Sequence, residues 1–214
     1  MLIIFDLDDT LIDTSGCITP FKLKIACEKL AGRSVSPKEL QELTAINRAS
    51  LRTPDAIMQF GRQIGASKEA VQAALAELTS PLPEGFQVAL TPNAKEIIHY
   101  YASRCPIALV TGGHPPFQRE KLKKAGIEAS IFSKIAVPED SIKKPFYKAF
   151  AGELSVDPAH VWVCGDRIPM DLVPARELGF RTIHMRWGRG RQMATEPWID
   201  RSIEDLSELR KIIT

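Results

Sequence analysis

The sequence predicts an α/β protein: a Rossmann-like parallel sheet in a three-layer α/β/α sandwich, with a small all-helical domain inserted after the first strand. Short continuous apolar runs alternate with helical stretches, which is the pattern of a doubly wound parallel sheet. One long segment near the N-terminus breaks that rhythm, with several helix starts and no convincing strand.

The apolar runs come first. Leu2 to Phe5, Ile107 to Val110, Val161 to Cys164 and Thr182 to Met185 are continuous rather than alternating and are bounded by Gly, Pro or Asp, as buried parallel strands are. A weaker fifth run spans Ile131 to Val137. The stretches between them are long enough for right-handed helical crossovers. In the interrupting segment, Thr19-Pro20, Ser36-Pro37 and Thr53-Pro54 each place a capping hydroxyl before a proline at the first helical position. Ser36-Pro37-Lys38-Glu39 also forms a capping box, and Ser67 starts a fourth helix. Ser80-Pro81-Leu82-Pro83-Glu84-Gly85 is rich in turn formers and reads as a hinge. The domain reading is therefore a core of residues 1–15 and 86–214 with a helical insertion at 16–85. Thr91-Pro92 starts the helix before Ile107, and Ser202-Ile203-Glu204-Asp205 starts a closing helix.

Composition bounds the function. Of 214 residues, 44% are apolar and 25% charged, as in ordinary globular proteins, and 28 basic against 26 acidic residues leave a net charge of +2. That balance implies no field for nucleic acid or for a membrane surface. The arginine-rich Arg186-Trp187-Gly188-Arg189-Gly190-Arg191 reads as a solvated loop after a strand. Cys17, Cys27, Cys105 and Cys164 lack CxxC spacing, so neither a zinc cluster nor a disulfide framework is signalled. Without a basic n-region or an apolar run of the ~20 residues needed to span a bilayer, a soluble, cytoplasmic protein is expected.

Ligands of open parallel sheets bind beyond the carboxyl ends of the strands, so the residues that follow the apolar runs carry the chemistry. They are Asp6-Leu7-Asp8-Asp9-Thr10, then Thr111-Gly112-Gly113, then Lys143-Lys144-Pro145, then Gly165-Asp166 with Asp171 five residues on. In this order and placement the chain resembles the haloacid-dehalogenase-like superfamily from end to end. DLDDT stands at its first motif, Thr111 at its second, Lys144 at its third and Gly165–Asp171 at its fourth, and the helical block falls where members with a C1-type cap carry theirs. Of the two adjacent lysines Lys144 is taken, because the family's motif lysine directly precedes proline.

The residue types suit the chemistry without the family name. Phosphoryl transfer needs an in-line nucleophile, cations for the equatorial oxygens and a proton for the departing alkoxide. Asp6 and Asp8 can place one carboxylate at phosphorus and one near the leaving oxygen. Neighbouring carboxylates repel and raise one another's pKa, so they call for a cation, and an oxygen-only site suits Mg²⁺ rather than zinc. The resemblance implies that Asp6, the Asp8 carbonyl and Asp166 hold Mg²⁺, with Asp171 on a metal-bound water or orienting Lys144. It also implies that Thr111, Lys144 and the amides of Leu7 and Gly112 cradle the phosphoryl group. The expected activity is hydrolysis of a small phosphorylated metabolite through an aspartyl-phosphate on Asp6, with Asp8 as acid and base.

Among the alternatives, a dehalogenase would lack Asp8, and neither the altered first motif nor the cap lysine of a phosphonatase is found. A phosphomutase would share every core motif, and a non-catalytic binding module would be expected to have lost one of them. Asp9 reads as supporting or solvated and Asp13 as closing a turn. Cys17 reads as a partly buried thiol and His114 as a loop residue without function, while His99, His160 and His184 read as structural.

Overall fold

A computed structural model describes residues 1–213. The chain divides into two compact units, Met1–Ser15 with Pro83–Thr214, and Gly16–Leu82. In chain order, β1 (Leu2–Phe5) is followed by α1 (Thr19–Ala31), α2 (Pro37–Ala49), α3 (Thr53–Gln63) and α4 (Lys68–Glu77). Next come α5 (Ala94–Ala102), β2 (Ile107–Val110), α6 (Pro115–Lys124), β3 (Lys134–Ala136), α7 (Lys144–Glu153), β4 (Val161–Gly165), α8 (Val173–Arg176), β5 (Arg181–Met185), β6 (Arg201–Ile203) and α9 (Leu209–Ile212).

The first unit is a six-stranded sheet of order β3-β2-β1-β4-β5-β6 in which every neighbouring pair is parallel. All four residues of β1 and of β2 are buried, as central strands covered by helices on both faces must be. Alternation puts Leu2 and Ile4 on one face with Ala108, Val110, Val161 and Val163, packed against Tyr147 and Phe150 of α7 and Ala175 of α8. The strand order reverses direction at β1, where the chain leaves toward β2 on one side and β4 lies on the other. In open parallel sheets, ligands bind outside the carboxyl ends at such a switch point.

The second unit is all-helical. Its core is Leu23, Ala26, Cys27 and Leu30 of α1, Leu43 of α2, Ala56, Ile57 and Phe60 of α3, and Ala74 of α4. The Ser36 side chain accepts from the Glu39 amide and the Glu39 carboxylate accepts in return from the Ser36 amide, while Ser67 caps α4. Thr19 and Thr53 differ from expectation. Each is the first residue of its helix rather than a cap, and neither helix has a side-chain cap bond.

Two elements correct the sequence reading. The weak fifth run becomes a strand only at Lys134–Ala136, after a short turn at Ala129–Ile131. Ser202 and Ile203 are not a helix start: they belong to β6, an edge strand parallel to β5, and the closing helix begins only at Leu209. A three-residue edge strand carries too little apolar run to be seen, and the capping box that forms is Asp205–Glu208, three residues after Ser202, opening a turn before α9.

Candidate functional site

The carboxyl ends of β1, β2 and β4 bring Asp6, Asp8, Thr111, Asp166 and Asp171 into one region. Asp6 ends the β1–β4 ladder, its amide donating 2.9 Å to the Cys164 carbonyl. Asp166 directly follows β4, and Asp171 lies in the wide helical turn Ile168–Leu172 that folds back over the strand end. A Cβ at Gly165 would sit 2.5 Å from that of Asp171, so only glycine lets this turn approach so closely. Asp6, Asp166 and Asp171 are all buried, and each offers a carboxylate oxygen within 4.8 Å of the others.

The lysine of this cluster is Lys143, not Lys144, which corrects the expectation from the motif. Lys143 Nζ lies 2.6 Å from Asp6 Oδ1 and bonds Asp171 Oδ1, with its side chain 4% exposed. Lys144 points outward to Glu177 Oε2 at 2.7 Å and is 45% exposed. One step along a helix start turns the side chain by about 100°, so of two adjacent lysines only one can face the strand ends. Asp171 is itself held at Oδ2 by the Arg167 amide at 2.9 Å, which aims its other oxygen at Lys143.

Burial dominates the electrostatics. Desolvation pushes the Asp6 carboxyl up to about 7, Lys143 opposing it and Asp171 and Asp8 adding to it. Asp166 is raised well above the carboxylate range by burial and by Asp171, Asp9 and Asp6. For Lys143, burial would lower the ammonium, but Asp171 and Asp6 outweigh it and hold the group charged. One ammonium cannot offset three buried carboxylates, so without a further cation the cluster holds protons in place of charge, which is what the raised Asp6 and Asp166 express. The donor set is oxygen only, which fits a hard divalent cation such as Mg²⁺.

Asp8 stands apart from that cluster. Its carboxylate accepts from the Thr14 hydroxyl, from Gln118 Nε2 at 2.8 Å and from Lys121 Nζ at 2.8 and 3.0 Å. Burial alone would raise this carboxyl, but the Lys121 charge and the three donors bring it below its ordinary value. Thr111 Oγ1 lies 2.9 Å from the same Gln118 nitrogen, and the Thr111 amide is taken by the Ala136 carbonyl. Leu7 follows Asp6 in the β1 loop, and its carbonyl accepts from the amides of Thr10, Leu11 and Ile12. Gly112 lies so close to Ser141 that a Cβ there would meet its Oγ at 2.5 Å.

Sequence reasoning missed Lys143, Gln118 and Lys121. The last two are polar residues on the inward face of α6, beside buried Phe117 and Leu122, and that placement on an apolar face is the one signal they leave. The Arg186–Arg191 segment is also corrected. It is not a freely solvated loop: Trp187 Nε1 donates to Asp13 Oδ1 at 2.9 Å, Gly190 is buried, and Cβ atoms at Gly188 and Gly190 would strike Asp9 and the Asp166 carbonyl. Asp9 is buried with a positive φ of 58° and accepts from the Ser15 amide at 2.7 Å and from its hydroxyl. His184 is buried, with Nε2 3.1 Å from the Asp166 carbonyl, and His114 is exposed ahead of α6. Among the described residues no helix is long and apolar enough to cross a membrane.

Residues 1–179 match the family model described as haloacid dehalogenase-like hydrolase. Over 99% of its length the chain is 25% identical to the glyceraldehyde 3-phosphate phosphatase of Methanocaldococcus jannaschii and covers 96% of that protein. It is 24% identical to the protein of the same name from Pyrococcus furiosus, covering 99% of this chain and 92% of that one. Among solved structures, the magnesium-bound HAD-hydrolase YfnB of Bacillus subtilis superposes with a TM-score of 0.74 at 19% identity, over 99% of this chain and 97% of that one. CbbY of Rhodobacter sphaeroides in complex with phosphate gives 0.71 at 21% identity, over 97% and 95%.

Proposed function

The chain belongs to the haloacid dehalogenase-like hydrolases, and from that premise we propose that it is a Mg²⁺-dependent phosphatase of small phosphate monoesters that works through an aspartyl-phosphate on Asp6. The observation that carries this reading is the buried Asp6–Lys143–Asp171 chain beside Asp166 at the switch point of the sheet. The names of the relatives support a three-carbon sugar phosphate, glyceraldehyde 3-phosphate, as the substrate to try first.

Asp6, the Asp8 carbonyl and Asp166 would hold the metal. Bound there, Mg²⁺ would neutralise the phosphate oxygens and keep Asp6 ionised despite its burial. The rest falls to the chain's own groups. Asp6 attacks phosphorus as an anion, and Lys143 both neutralises it in the resting state and offers an ammonium to the phosphoryl oxygens. Asp171, anchored by the Arg167 amide, keeps Lys143 in place. Thr111, with the amides of Leu7 and Gly112, would receive the remaining phosphoryl oxygens. Asp8, an anion at rest, would take up a proton from the monoanionic form of the ester as it binds, pass it to the departing alkoxide and later take one from the attacking water. The helical unit, Gly16–Leu82, would act as the cap that limits which esters enter. Action in the cytoplasm is part of the same reading, which rests on cysteines that lack CxxC spacing in the sequence.

The test is phosphate release from glyceraldehyde 3-phosphate, other sugar phosphates, phosphoglycolate and nucleoside monophosphates, with Mg²⁺ and with EDTA. Metal-dependent release from one or more small esters is expected. No release from any of them at saturating Mg²⁺ would overturn the reading.

A further inference from the structure

The inner face of α6 carries a lysine and a glutamine where a core helix would place apolar residues. Gln118 and Lys121, one turn apart, are 2% and 6% exposed, and both reach the Asp8 carboxylate. Lys121 Nζ touches both oxygens, at 2.8 and 3.0 Å, and lies 4.8 Å from the centre of the Phe117 ring, which braces it from within the same helix. Gln118 Nε2 is 2.8 Å from Asp8 Oδ2, 2.9 Å from Thr111 Oγ1 and 2.7 Å from the Gly112 carbonyl. Turning the amide over would set its carbonyl against a carboxylate and another carbonyl, so this orientation is the one the surroundings permit. It comes at a cost, because the buried Gln118 Oε1 has no hydrogen-bond partner among the described residues. A helix that served only to pack the sheet would have no reason to bear that cost.

The acceptor positions of the Asp8 carboxylate are filled. Oδ1 accepts from Thr14 and Lys121, and Oδ2 from Gln118 and Lys121, so the roughly four lone-pair sites of a carboxylate are all engaged. Asp8 must release one donor before it can exchange a proton with a leaving group or a water. Gln118 can supply that release. Its amide has two hydrogens and three acceptors within reach, so it can shift toward Thr111 and the Gly112 carbonyl and free Asp8 Oδ2 while Lys121 keeps hold of the group.

We propose that Gln118 and Lys121 are positioning residues for Asp8: Lys121 fixes its carboxylate away from the buried Asp6 cluster, and Gln118 ties its availability to the Thr111 loop that would receive the phosphoryl group. The proposal rests on the phosphatase reading and on Asp8 as its acid and base.

A double-mutant cycle on the full chain tests it, with glyceraldehyde 3-phosphate as the alkyl ester and p-nitrophenyl phosphate as the aryl ester. Lys121→Met should lower kcat for the alkyl ester on the order of 10²-fold, with KM changed less than about threefold, and should lower kcat less for the aryl ester, whose phenolate leaves with little help. Lys121→Arg should recover much of the loss. Adding Lys121→Met to Asp8→Asn should cost no more than Asp8→Asn alone, because Lys121 acts only through that carboxylate. Gln118→Leu carries the same cycle should Lys121→Met fail to fold, as judged by circular dichroism. Additive losses, or a rise in KM with kcat kept, would overturn the proposal by giving α6 a direct role on substrate, while leaving the phosphatase reading intact. Full activity of Asp8→Asn itself would overturn both this proposal and the role given to Asp8.

Discussion

The two units bury polar groups in very different numbers. In the helical unit, Lys22 and Asn47 are the buried polar side chains, and Lys22 is fully answered by Glu77, the Ser80 carbonyl and the Ser80 hydroxyl. The sheet unit buries Asp6, Asp9, Asp166, Asp171, Lys121, Lys143, Thr111 and Gln118 at one end of its strands. The helical unit is built as a stable fold is built, from an apolar seam with capped ends. The sheet unit concentrates desolvated charge in one place and relies on β1, β2 and β4 to hold it there, which is where a fold departs from its own stability optimum for chemistry.

Removing charge at that end of the sheet tests this difference most severely. Asp6→Asn should abolish phosphate release, by about 10⁴-fold or more, because the attacking anion is gone. With EDTA present its thermal midpoint should stay level or rise, since a buried carboxylate has been neutralised. A large fall in that midpoint, measured by circular dichroism, would mean that Asp6 is structural.

The paired lysines come next. Lys143→Met leaves Asp6 and Asp171 without their buried counter-charge and should cost about 3 to 5 kcal/mol of stability, together with nearly all activity. Lys144→Met removes an exposed pair with Glu177 and should cost at most about 1 kcal/mol, with kcat within twofold. Chemical denaturation and steady-state kinetics on the two variants decide it, and equal losses would erase the distinction between them.

A third test uses pH and metal. A carboxyl raised on folding, as Asp6 is from 3.8 to about 7, binds its proton more tightly in the native state. Its contribution to stability is therefore complete below about pH 4 and is lost as pH rises through about 7. In EDTA the thermal midpoint should fall as pH rises over that window. Mg²⁺ at about 100 times its Kd should restore roughly 2.7 kcal/mol at pH 7.5, a shift of about 5 to 10 °C, and much less at pH 5. Equal shifts at both pH values would detach the metal from Asp6. Glu39 and Asp205, which are lowered rather than raised, work in the opposite sense and lose their contribution only as pH falls through their own depressed values.

The smallest effect belongs to the helical unit. Ser36→Ala opens the capping box of α2 and should cost about 1 kcal/mol with kcat unchanged. A larger effect on kcat than on stability would show that the helical unit carries catalytic geometry as well as packing.

Much was readable from one dimension because it depends on local chemistry. The runs at β1, β2, β4 and β5 are continuous apolar segments that only a doubly covered parallel sheet accommodates, and carboxylates directly after β1 and β4 must emerge at the same edge. Three hydroxyl–proline pairs and Ser67 placed the starts of the four helices of the second unit to within a residue or two. The sequence could not tell Lys143 from Lys144, because their neighbours are nearly the same and only the direction in which α7 leaves the sheet decides which ammonium turns inward. It could not show Gln118 and Lys121 reaching Asp8, more than a hundred residues away, because that contact exists only once α6 packs beside β1's loop. Nor could it show the Arg186–Arg191 segment lying against Asp9 and Asp166, which the missing Cβ atoms of Gly188 and Gly190 permit. Hydrophobic patterning and turn chemistry are local and survive in the sequence, whereas the pairing of buried charges is a property of distance in space, which the tertiary structure alone sets.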